Sequence, residues 1–344
     1  MSVATGYRIR AWGDDPVWEQ FEGTPPRAGE AVVAVEACGV GQTVLHCIRG
    51  DLADDRAVLP RVPGHELVGR VVEAGTGVAT ELVGRRVAAY FYLSCGSCSE
   101  CLAGDDNRCQ RLAGYVGVHM DGGYGSLATL PARNLITMPE GLDPIAATVV
   151  PDAVATPVHI CRTRARVGPE DRVAVLGAGG GVGMHLVQVA RIFGAEVAGL
   201  DVSTEKLAAI EDLGAIPVRV DDFGSLDPLL FRAGRPTVVV DLVGSRHSLG
   251  WARQALASGG RLIVLTTFRD VVAEFDPREM VMTEAAILGS RYATRREVEL
   301  AGQLVASGRV RPIIGLTTEP RGAPEIHRRL RDQTLIGRAA LVWS

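Results

Sequence analysis

The sequence predicts an α/β protein in which a β-rich region is followed by a doubly wound parallel sheet. Up to about residue 150, short apolar runs at 32–36, 67–72 and 86–90 are interrupted by glycine and proline, as is typical of strands joined by turns. From about residue 170 the pattern alternates between strands and helices, which favours the doubly wound arrangement. A length of 344 residues is consistent with two such domains.

The elements of the second region can be placed one by one. Continuous apolar runs predict parallel strands buried on both faces at 172–176, 196–200, 238–242 and 261–265. Apolar residues at helical spacing predict helices at 184–193, 205–213, 251–256 and 297–307. Further apolar runs near Ile313 and Ala339 indicate that the end of the chain returns to the first domain.

Four cysteines at the spacing C-x2-C-x2-C-x7-C predict one structural zinc site over 95–109. Four thiolates around a tetrahedral ion are the ligands that structural zinc prefers. An iron–sulfur centre would have its fourth cysteine three residues after the third, followed by proline, but here the gap is longer and Gln110 follows. The total of seven cysteines also argues against a disulfide framework. The predicted ligands are Cys95, Cys98, Cys101 and Cys109.

A glycine-rich turn, 177–183, follows the first strand of the second region. Small residues there allow the backbone to approach a pyrophosphate at the start of a helix. Asp201 ends the next strand, where a carboxylate binds the ribose hydroxyls and repels a 2′-phosphate, so NAD(H) is favoured over NADP(H). The alternative is a tight turn that binds nothing, with Asp201 as a helix cap. The predicted cofactor-binding residues are Gly177, Gly179, Gly180, Gly181, Val182, Gly183, Asp201 and Lys206.

The composition argues against several classes of protein. Arginines are dispersed along the chain and balanced by 40 acidic residues, so no nucleic-acid-binding patch is predicted. No apolar run approaches the roughly 20 residues that cross a bilayer, and the N-terminus lacks the apolar core of a secretory signal. We expect a cytoplasmic protein that acts on a small molecule, without a nucleic-acid or membrane partner.

Together these motifs resemble the medium-chain dehydrogenase/reductase superfamily, on its zinc-containing alcohol dehydrogenase branch, over essentially the whole chain. The resemblance is carried by Pro63-Gly64-His65-Glu66, the four-cysteine loop, Asp121-Gly122-Gly123-Tyr124, the glycine turn with Asp201, and Gly337-Arg338. It implies a GroES-like β-rich catalytic domain around a Rossmann domain that binds NAD(H), a second, catalytic zinc, and a homodimer or homotetramer. It also implies that Arg338 contacts the cofactor pyrophosphate.

On this basis we predict three segments. A GroES-like catalytic domain covers 1–152 and carries the zinc loop. A Rossmann domain covers 153–290, and a C-terminal segment, 291–344, rejoins the catalytic domain.

The catalytic zinc site implied by the resemblance lacks one ligand in this sequence. Thr43 and His46 fall on the proton-relay positions of the family. This register puts Gly41 where the family has a cysteine ligand and Val44 where it has an aspartate beyond the ligands. For Thr43 and His46 the structural alternative is a helix-capping hydroxyl and a surface histidine.

The other positions of this site are retained. His65 and Asp152 match the remaining two ligands, and Glu66 matches a neighbouring acid. Because a catalytic zinc normally takes three protein ligands, the sequence leaves open whether a metal binds here. The structural alternative for His65 and Asp152 is inherited packing with a polar partner each.

Three functions fit these residues, and we rank them in the following order. The first is interconversion of an alcohol with an aldehyde or ketone, in which zinc polarises the oxygen and Thr43 and His46 pass its proton to solvent. The second is metal-free, NADH-dependent reduction of a conjugated C=C bond, for example in an enone. The third is a non-enzymatic, cofactor-binding paralogue. The predicted catalytic residues are Thr43, His46, His65, Glu66 and Asp152.

Overall fold

A computed structural model describes residues 2–266 and 270–343 and divides this part of the chain into two compact units. The first unit comprises Met1–Ala155, Ala293–Gly308 and Ile314–Ser344. The second comprises Thr156–Tyr292 and Arg309–Ile313.

Residues 291–292 of the predicted C-terminal segment lie in the second unit, and the chain returns to that unit over 309–313. Hydrogen bonds explain this return. The backbone N–H of Ile313 donates to His185 Nε2 at 3.1 Å, and that of Arg311 donates to Gln188 Oε1 at 2.8 Å. His185 is fully buried, so its ring nitrogen requires a partner of this kind.

The strands of the described residues are β1 (Val3–Arg8), β2 (Val17–Glu22), β3 (Glu30–Val40), β4 (Glu66–Ala74), β5 (Arg86–Ala89), β6 (Leu127–Pro131), β7 (Leu135–Thr137), β8 (Arg172–Leu176), β9 (Glu196–Asp201), β10 (Ile216–Arg219), β11 (Val238–Asp241), β12 (Arg261–Val264), β13 (Ala286–Gly289), β14 (Ile314–Thr318) and β15 (Arg338–Val342). The α-helices are α1 (Gln42–Arg49), α2 (Ser99–Ala103), α3 (Pro144–Ala147), α4 (Ala155–His159), α5 (Gly181–Ile192), α6 (Thr204–Asp212), α7 (Arg246–Ala255), α8 (Pro277–Thr283), α9 (Arg295–Ala306) and α10 (Ala323–Arg331). Two π-helical turns flank α4, at Val150–Val154 and Ile160–Arg164.

In the second unit, as far as it is described, six parallel strands pair in the order β10-β9-β8-β11-β12-β13. The order reverses at β8, whose last residue, Leu176, lies between Leu200 of β9 and Asp241 of β11. Ligands of doubly wound sheets bind at this reversal, beyond the carboxyl ends of the strands. Gly177, the first residue of the glycine turn, therefore lies at the position where the fold favours a dinucleotide.

In the first unit, seven of the described strands form a sheet in the order β14-β15-β3-β4-β5-β7, with β6 also paired to β3, and β1 and β2 form a separate two-stranded sheet. Strand β15, from the end of the chain, runs antiparallel to β3, so that Ala339 lies opposite Val40. On its other edge β3 pairs with β4, with Gly39 opposite Glu66. This register brings residue 338 beside the end of β3 and beside Glu66, although these residues are far apart in the sequence.

Several predicted elements differ in extent from those observed. Helix α7 begins at Arg246 rather than near Trp251, because Ser245 and Ser248 form a capping box that starts the helix earlier. Helix α5 begins at Gly181, within the glycine turn itself. The edge strands β10 and β13 were not predicted; in both, half-buried and exposed residues alternate, unlike the buried central strands.

Among the described residues, one helical stretch, Pro144–Arg164, is long and apolar enough to cross a membrane by length and composition alone. Its apolar residues are interrupted by proline, threonine and aspartate, so no long apolar run predicted it. Of its most apolar window, 78% is buried inside the structure. Buried core helices pass the same test, so this stretch is weak evidence for a membrane span. The cytoplasmic location stays a prediction.

Candidate active site

The four-cysteine loop has the geometry of a tetrahedral metal site. The sulfurs of Cys95, Cys98, Cys101 and Cys109 all lie within 4.8 Å of one another. The Sγ atoms of Cys95 and Cys101 are 4.0 Å apart, as are those of Cys98 and Cys109. Four sulfurs at the usual zinc–sulfur distance of about 2.3 Å would be about 3.8 Å apart. These residues therefore fit a structural zinc ion.

Backbone N–H groups converge on the first of these sulfurs. Those of Ser97 and Cys98 donate to Cys95 Sγ at 3.4 and 3.3 Å. The hydrogen bond from Ser97 is the largest cause that lowers the pKa of Cys95, to about 5. A thiol that is readily deprotonated is a better metal ligand near neutral pH.

The glycine turn of the second unit is shaped for close approach of a phosphate group. Gly177 has φ +76°, which favours glycine. A Cβ on Gly183 would lie 2.5 Å from the carbonyl oxygen of Gly177, so only glycine lets the helix pack this tightly on the turn. Gly180 occupies the N-cap of α5 and has no side chain to cover the first N–H groups. These donors and the helix dipole suit a pyrophosphate.

Asp201 and Lys206 pack against the glycine turn. Asp201 Oδ2 accepts a hydrogen bond from the N–H of Gly179 at 2.9 Å. A Cβ on Gly179 would lie 2.5 Å from the Cδ of Lys206, so this glycine lets the lysine lie over the turn. The cap of α6 is Ser203, whose side chain accepts from the N–H of Lys206, so Asp201 is not the capping residue. The carboxylate thus braces the turn, and its contact with a ribose stays a prediction.

A cavity of about 280 Å³ in the second unit was not anticipated from the sequence. Its walls include Gly244, Val264 and Thr266, which lie at or just beyond the carboxyl ends of β11 and β12, and Leu249 of α7. Ligands bind at this edge of a doubly wound sheet. The available signal was Asp241, which ends an apolar strand as Asp201 does and accepts hydrogen bonds from the N–H groups of the following turn.

Three residues predicted for the catalytic zinc site lie together in the first unit. His65 Nε2 is 3.7 Å from Glu66 Oε1 and 3.7 Å from Asp152 Oδ2. Asp152 belongs to the π-helical turn Val150–Val154, a type of irregular helical turn that is frequent at functional sites. We call His65, Glu66 and Asp152 the acid cluster.

A fourth residue, Arg338, completes this cluster. Its Nη2 contacts Glu66 Oε1 and lies 2.6 Å from Asp152 Oδ2, and its side chain is 5% exposed. Burial alone would lower the pKa of Arg338, but the carboxylates of Glu66 and Asp152 outweigh this effect and raise its pKa. The guanidinium is therefore a permanent cation. The pyrophosphate contact that the resemblance implies for Arg338 stays a prediction; in this structure the residue pairs with the two acids.

The cluster does not fit the three-ligand zinc site of the family. A Cβ on Gly41 would lie 2.5 Å from Cζ of Arg338, so a side chain at this position collides with the guanidinium. The third ligand is absent, and the two carboxylate oxygens that face His65 are already paired with a cation. Within the described residues, Glu66 Oε2 and Arg338 Nε are buried without a hydrogen-bond partner. Such unsatisfied groups are uncommon in sites that serve stability alone.

The proposed proton-relay residues lie on α1, which begins directly after Gly41. Thr43 and His46 are three residues apart and hence on one face of this helix. His46 Nδ1 is 2.8 Å from Asp51 Oδ2, and its side chain is 25% exposed. His46 is therefore linked to a carboxylate and in contact with solvent. The catalytic roles of both residues stay predictions.

Comparison with known proteins agrees with this fold and these motifs. Residues 27–140 match the family model described as alcohol dehydrogenase GroES-like domain, and residues 181–307 match zinc-binding dehydrogenase. A GroES-like unit with a thiolate loop and a Rossmann unit with an acidic ribose position define a class of NAD(P)-dependent oxidoreductases. The chain belongs to the medium-chain dehydrogenase/reductase superfamily, on its zinc-containing alcohol dehydrogenase-like branch. The predicted fold class and family are thereby confirmed.

Relatives of two kinds match nearly the whole chain. An alcohol dehydrogenase of Geobacillus stearothermophilus is 33% identical over 319 residues, covering 91% of each chain. An acryloyl-coenzyme A reductase of Metallosphaera sedula is 29% identical over 338 residues, covering 98% of this chain and 96% of its own. A crystal structure of an alcohol dehydrogenase from Escherichia coli CFT073, complexed with NADH, covers 100% of both chains at 25% identity and a TM-score of 0.89.

Proposed function

We propose that this chain is an NADH-dependent reductase of carbon–carbon double bonds conjugated to a carbonyl group. In this reaction the acid cluster holds Arg338 and no metal ion. The observation that carries the proposal is the Arg338 guanidinium, which pairs with the same carboxylate oxygens that face His65. In the zinc-dependent reaction, reduction of a simple ketone uses the metal as a Lewis acid that polarises the oxygen. A conjugated alkene delocalises the developing charge onto its own carbonyl group and needs only hydrogen-bond donors there.

The cofactor assignment is supported by the second unit. Bound NADH supplies a hydride to the substrate carbon at the far end of the conjugated system. The first N–H groups of α5 bind its pyrophosphate, and Asp201 with Lys206 binds the adenosine ribose. Asp201 is the residue that makes NADH the expected cofactor rather than NADPH.

Residues of α1 complete the proposed chemistry. The Thr43 hydroxyl donates a hydrogen bond to the carbonyl oxygen, on which negative charge develops as the hydride arrives. His46, paired with Asp51 and partly exposed, carries a proton between this oxygen and solvent. The product is the saturated carbonyl compound. The single proton that balances the hydride comes from solvent and ends on the carbon next to the carbonyl group, and the oxygen gives back any proton that it held.

The resemblance to acryloyl-coenzyme A reductase over nearly the full length supports this proposal. A second candidate, interconversion of an alcohol with an aldehyde or ketone, ranked first from the sequence. It is supported by the identity with an alcohol dehydrogenase and by the retention of His65, Glu66 and Asp152 within 4.8 Å of one another. The homodimer or homotetramer implied by the resemblance stays a prediction for either candidate.

Steady-state turnover separates the two candidates. NADH consumption is followed with acryloyl-CoA and with simple ketones, and NAD+ reduction with simple alcohols, each before and after brief chelation. We expect turnover of the unsaturated thioester that survives chelation. The T43V variant lowers kcat about 100-fold, whereas T137V, a change at an exposed threonine of β7, leaves it unchanged. Chelator-sensitive alcohol oxidation without turnover of the thioester would overturn the proposal.

A further inference from the structure

The acid cluster combines two unusual features, a buried arginine and a glycine at the position of a missing ligand. We propose that Arg338 is the resident cation of this cluster and that Gly41 is the residue that admits it. The two positions together then decide whether the cluster holds a guanidinium or a metal ion. This inference deepens the proposed function, because it names the residues that make the site metal-independent.

The backbone conformation at position 41 does not explain the glycine. This residue has φ −132° and ψ −173°, an extended conformation that any amino acid adopts without strain. It is the N-cap of α1, where serine, threonine, aspartate or asparagine would serve at least as well. Neither the backbone nor the cap therefore requires a glycine here.

The side chain of Arg338 leaves no room for a Cβ atom at position 41. Strand β15 pairs with β3 so that Ala339 lies opposite Val40, and the side chain of Arg338 passes over the next residue, Gly41. A Cβ on Gly41 would lie 2.5 Å from Cζ and 3.1 Å from Nε of Arg338. Real Cβ atoms essentially never approach a heavy atom within 3.0 Å. The guanidinium is what requires glycine at position 41.

The charge of Arg338 pairs with the two carboxylates of the acid cluster. Two carboxylates lie in the cluster, with Glu66 fully buried and the Asp152 side chain 14% exposed. Buried negative charges need a nearby counter-ion. Arg338 Nη2 supplies one on Glu66 Oε1 and Asp152 Oδ2, the same two oxygens that lie 3.7 Å from His65 Nε2. A metal ion using His65 and both acids would have to displace the guanidinium from these oxygens.

A double-mutant cycle tests the steric coupling. The G41A change in the wild-type chain lowers the melting temperature by about 5 °C, because it expels the guanidinium. In the R338M background the same change shifts it by less than about 2 °C, because the collision is gone. G250A is the matched control, since among the described residues nothing lies within 4 Å of its added Cβ. If R338M does not fold, E66Q/R338M, which also removes one buried charge, replaces it in the cycle.

Zinc content per chain gives an independent readout. We expect one zinc ion in the wild-type chain and in H65A, held by the four-cysteine loop. The double variant G41C/R338M restores a cysteine ligand and vacates the carboxylates, so it binds a second zinc ion together with His65 and Asp152. The single variant R338M, which vacates the carboxylates without supplying a cysteine ligand, binds one.

The outcomes divide cleanly. Two zinc ions in the wild-type chain, with one lost in H65A, would overturn the inference, and so would an equal cost of G41A in both backgrounds. The inference stands if the cycle shows the coupling and only the double variant gains zinc. Failure of the proposed function is seen separately, as alcohol turnover without thioester turnover, because neither zinc content nor melting temperature depends on the substrate.

Discussion

The four-cysteine loop and the acid cluster are both positions where this family is expected to hold zinc, yet they differ in the completeness of their ligand sets. The loop has four sulfurs that lie within 4.8 Å of one another and accept backbone N–H groups. The acid cluster has three donors and a permanent cation, Arg338, seated on two of them.

What separates the two regions is the source of their ligands. The loop draws all four from one segment of fifteen residues, 95–109, whose backbone holds the sulfurs in place. The acid cluster draws on β4, on a π-helical turn and on the C-terminal strand β15, so a change at one position alters the role of another. The loss of a ligand at Gly41 is thus matched by a cation that arrives from residue 338.

The largest effect is expected at the loop. C98S removes a buried thiolate and with it the zinc ion, and we expect a loss of at least about 4 kcal/mol of unfolding free energy. Elemental analysis and thermal unfolding measure both. C47A changes a buried cysteine outside the loop and should keep the zinc content of the wild-type chain. Unchanged zinc content in C98S would mean that the loop is not the metal site.

The next effect is expected at the acid cluster. R338M leaves two buried carboxylates without their counter-ion and should cost about 3–5 kcal/mol. R328M, at an exposed arginine paired with Glu325 and Asp332, should cost less than about 1 kcal/mol. Chemical denaturation of the two variants measures the difference. Equal costs would remove the contrast between a resident cation and a surface ion pair.

Acid titration compares Arg338 with a buried group that changes its charge. Arg338 stays charged at every pH at which the protein is folded, whereas His327 is neutral near pH 7 and gains a proton in acid. His327 is buried in α10, and its Nε2 lies 2.9 Å from Tyr124 Oη. Burial and, to a smaller extent, the charge of Arg331 lower the pKa of His327 to about 4, while Asp15 acts in the opposite direction. The unfolded chain then binds the proton first, so stability is lost as the pH falls from about 6.5 to about 4, by at most about 3 kcal/mol.

The variant H327Q isolates this contribution. Its stability profile over the same pH range should be flatter than that of the wild-type chain, because its amide does not titrate. Urea unfolding at several pH values gives both profiles. Parallel profiles would assign the loss to other groups.

The smallest effect is expected at the glycine turn, 177–183. This turn lies in the second unit, whereas both metal positions lie in the first, so a change here tests cofactor binding by itself. D201S should weaken NADH binding about tenfold, which corresponds to about 1.4 kcal/mol, and reduce the preference over NADPH. D212S, at an exposed aspartate of α6, should bind NADH as the wild-type chain does. Fluorescence titration gives the Kd values. Unchanged affinity in D201S would leave the ribose position unassigned.

Local patterns in the sequence predicted those parts of the molecule whose geometry is set by neighbouring residues. The cysteine spacing predicted a set of sulfurs that the structure brings within metal-binding distance of one another. The apolar runs predicted the doubly wound sheet, and the structure places the predicted turn 177–183 at the reversal of its strand order. Where a capping box lies outside the apolar pattern, as at Ser245, the predicted helix was too short.

The sequence by itself determined the fold class, the thiolate loop and the glycine turn, because in each the interacting groups are close along the chain and their spacing reports their geometry. Through the family resemblance it also predicted that a ligand is missing at Gly41. Only the tertiary structure decided what fills that place. The pairing of β15 with β3 joins residues about 300 positions apart, and no local pattern reports such a contact, because strand register is set by the packing of the whole sheet.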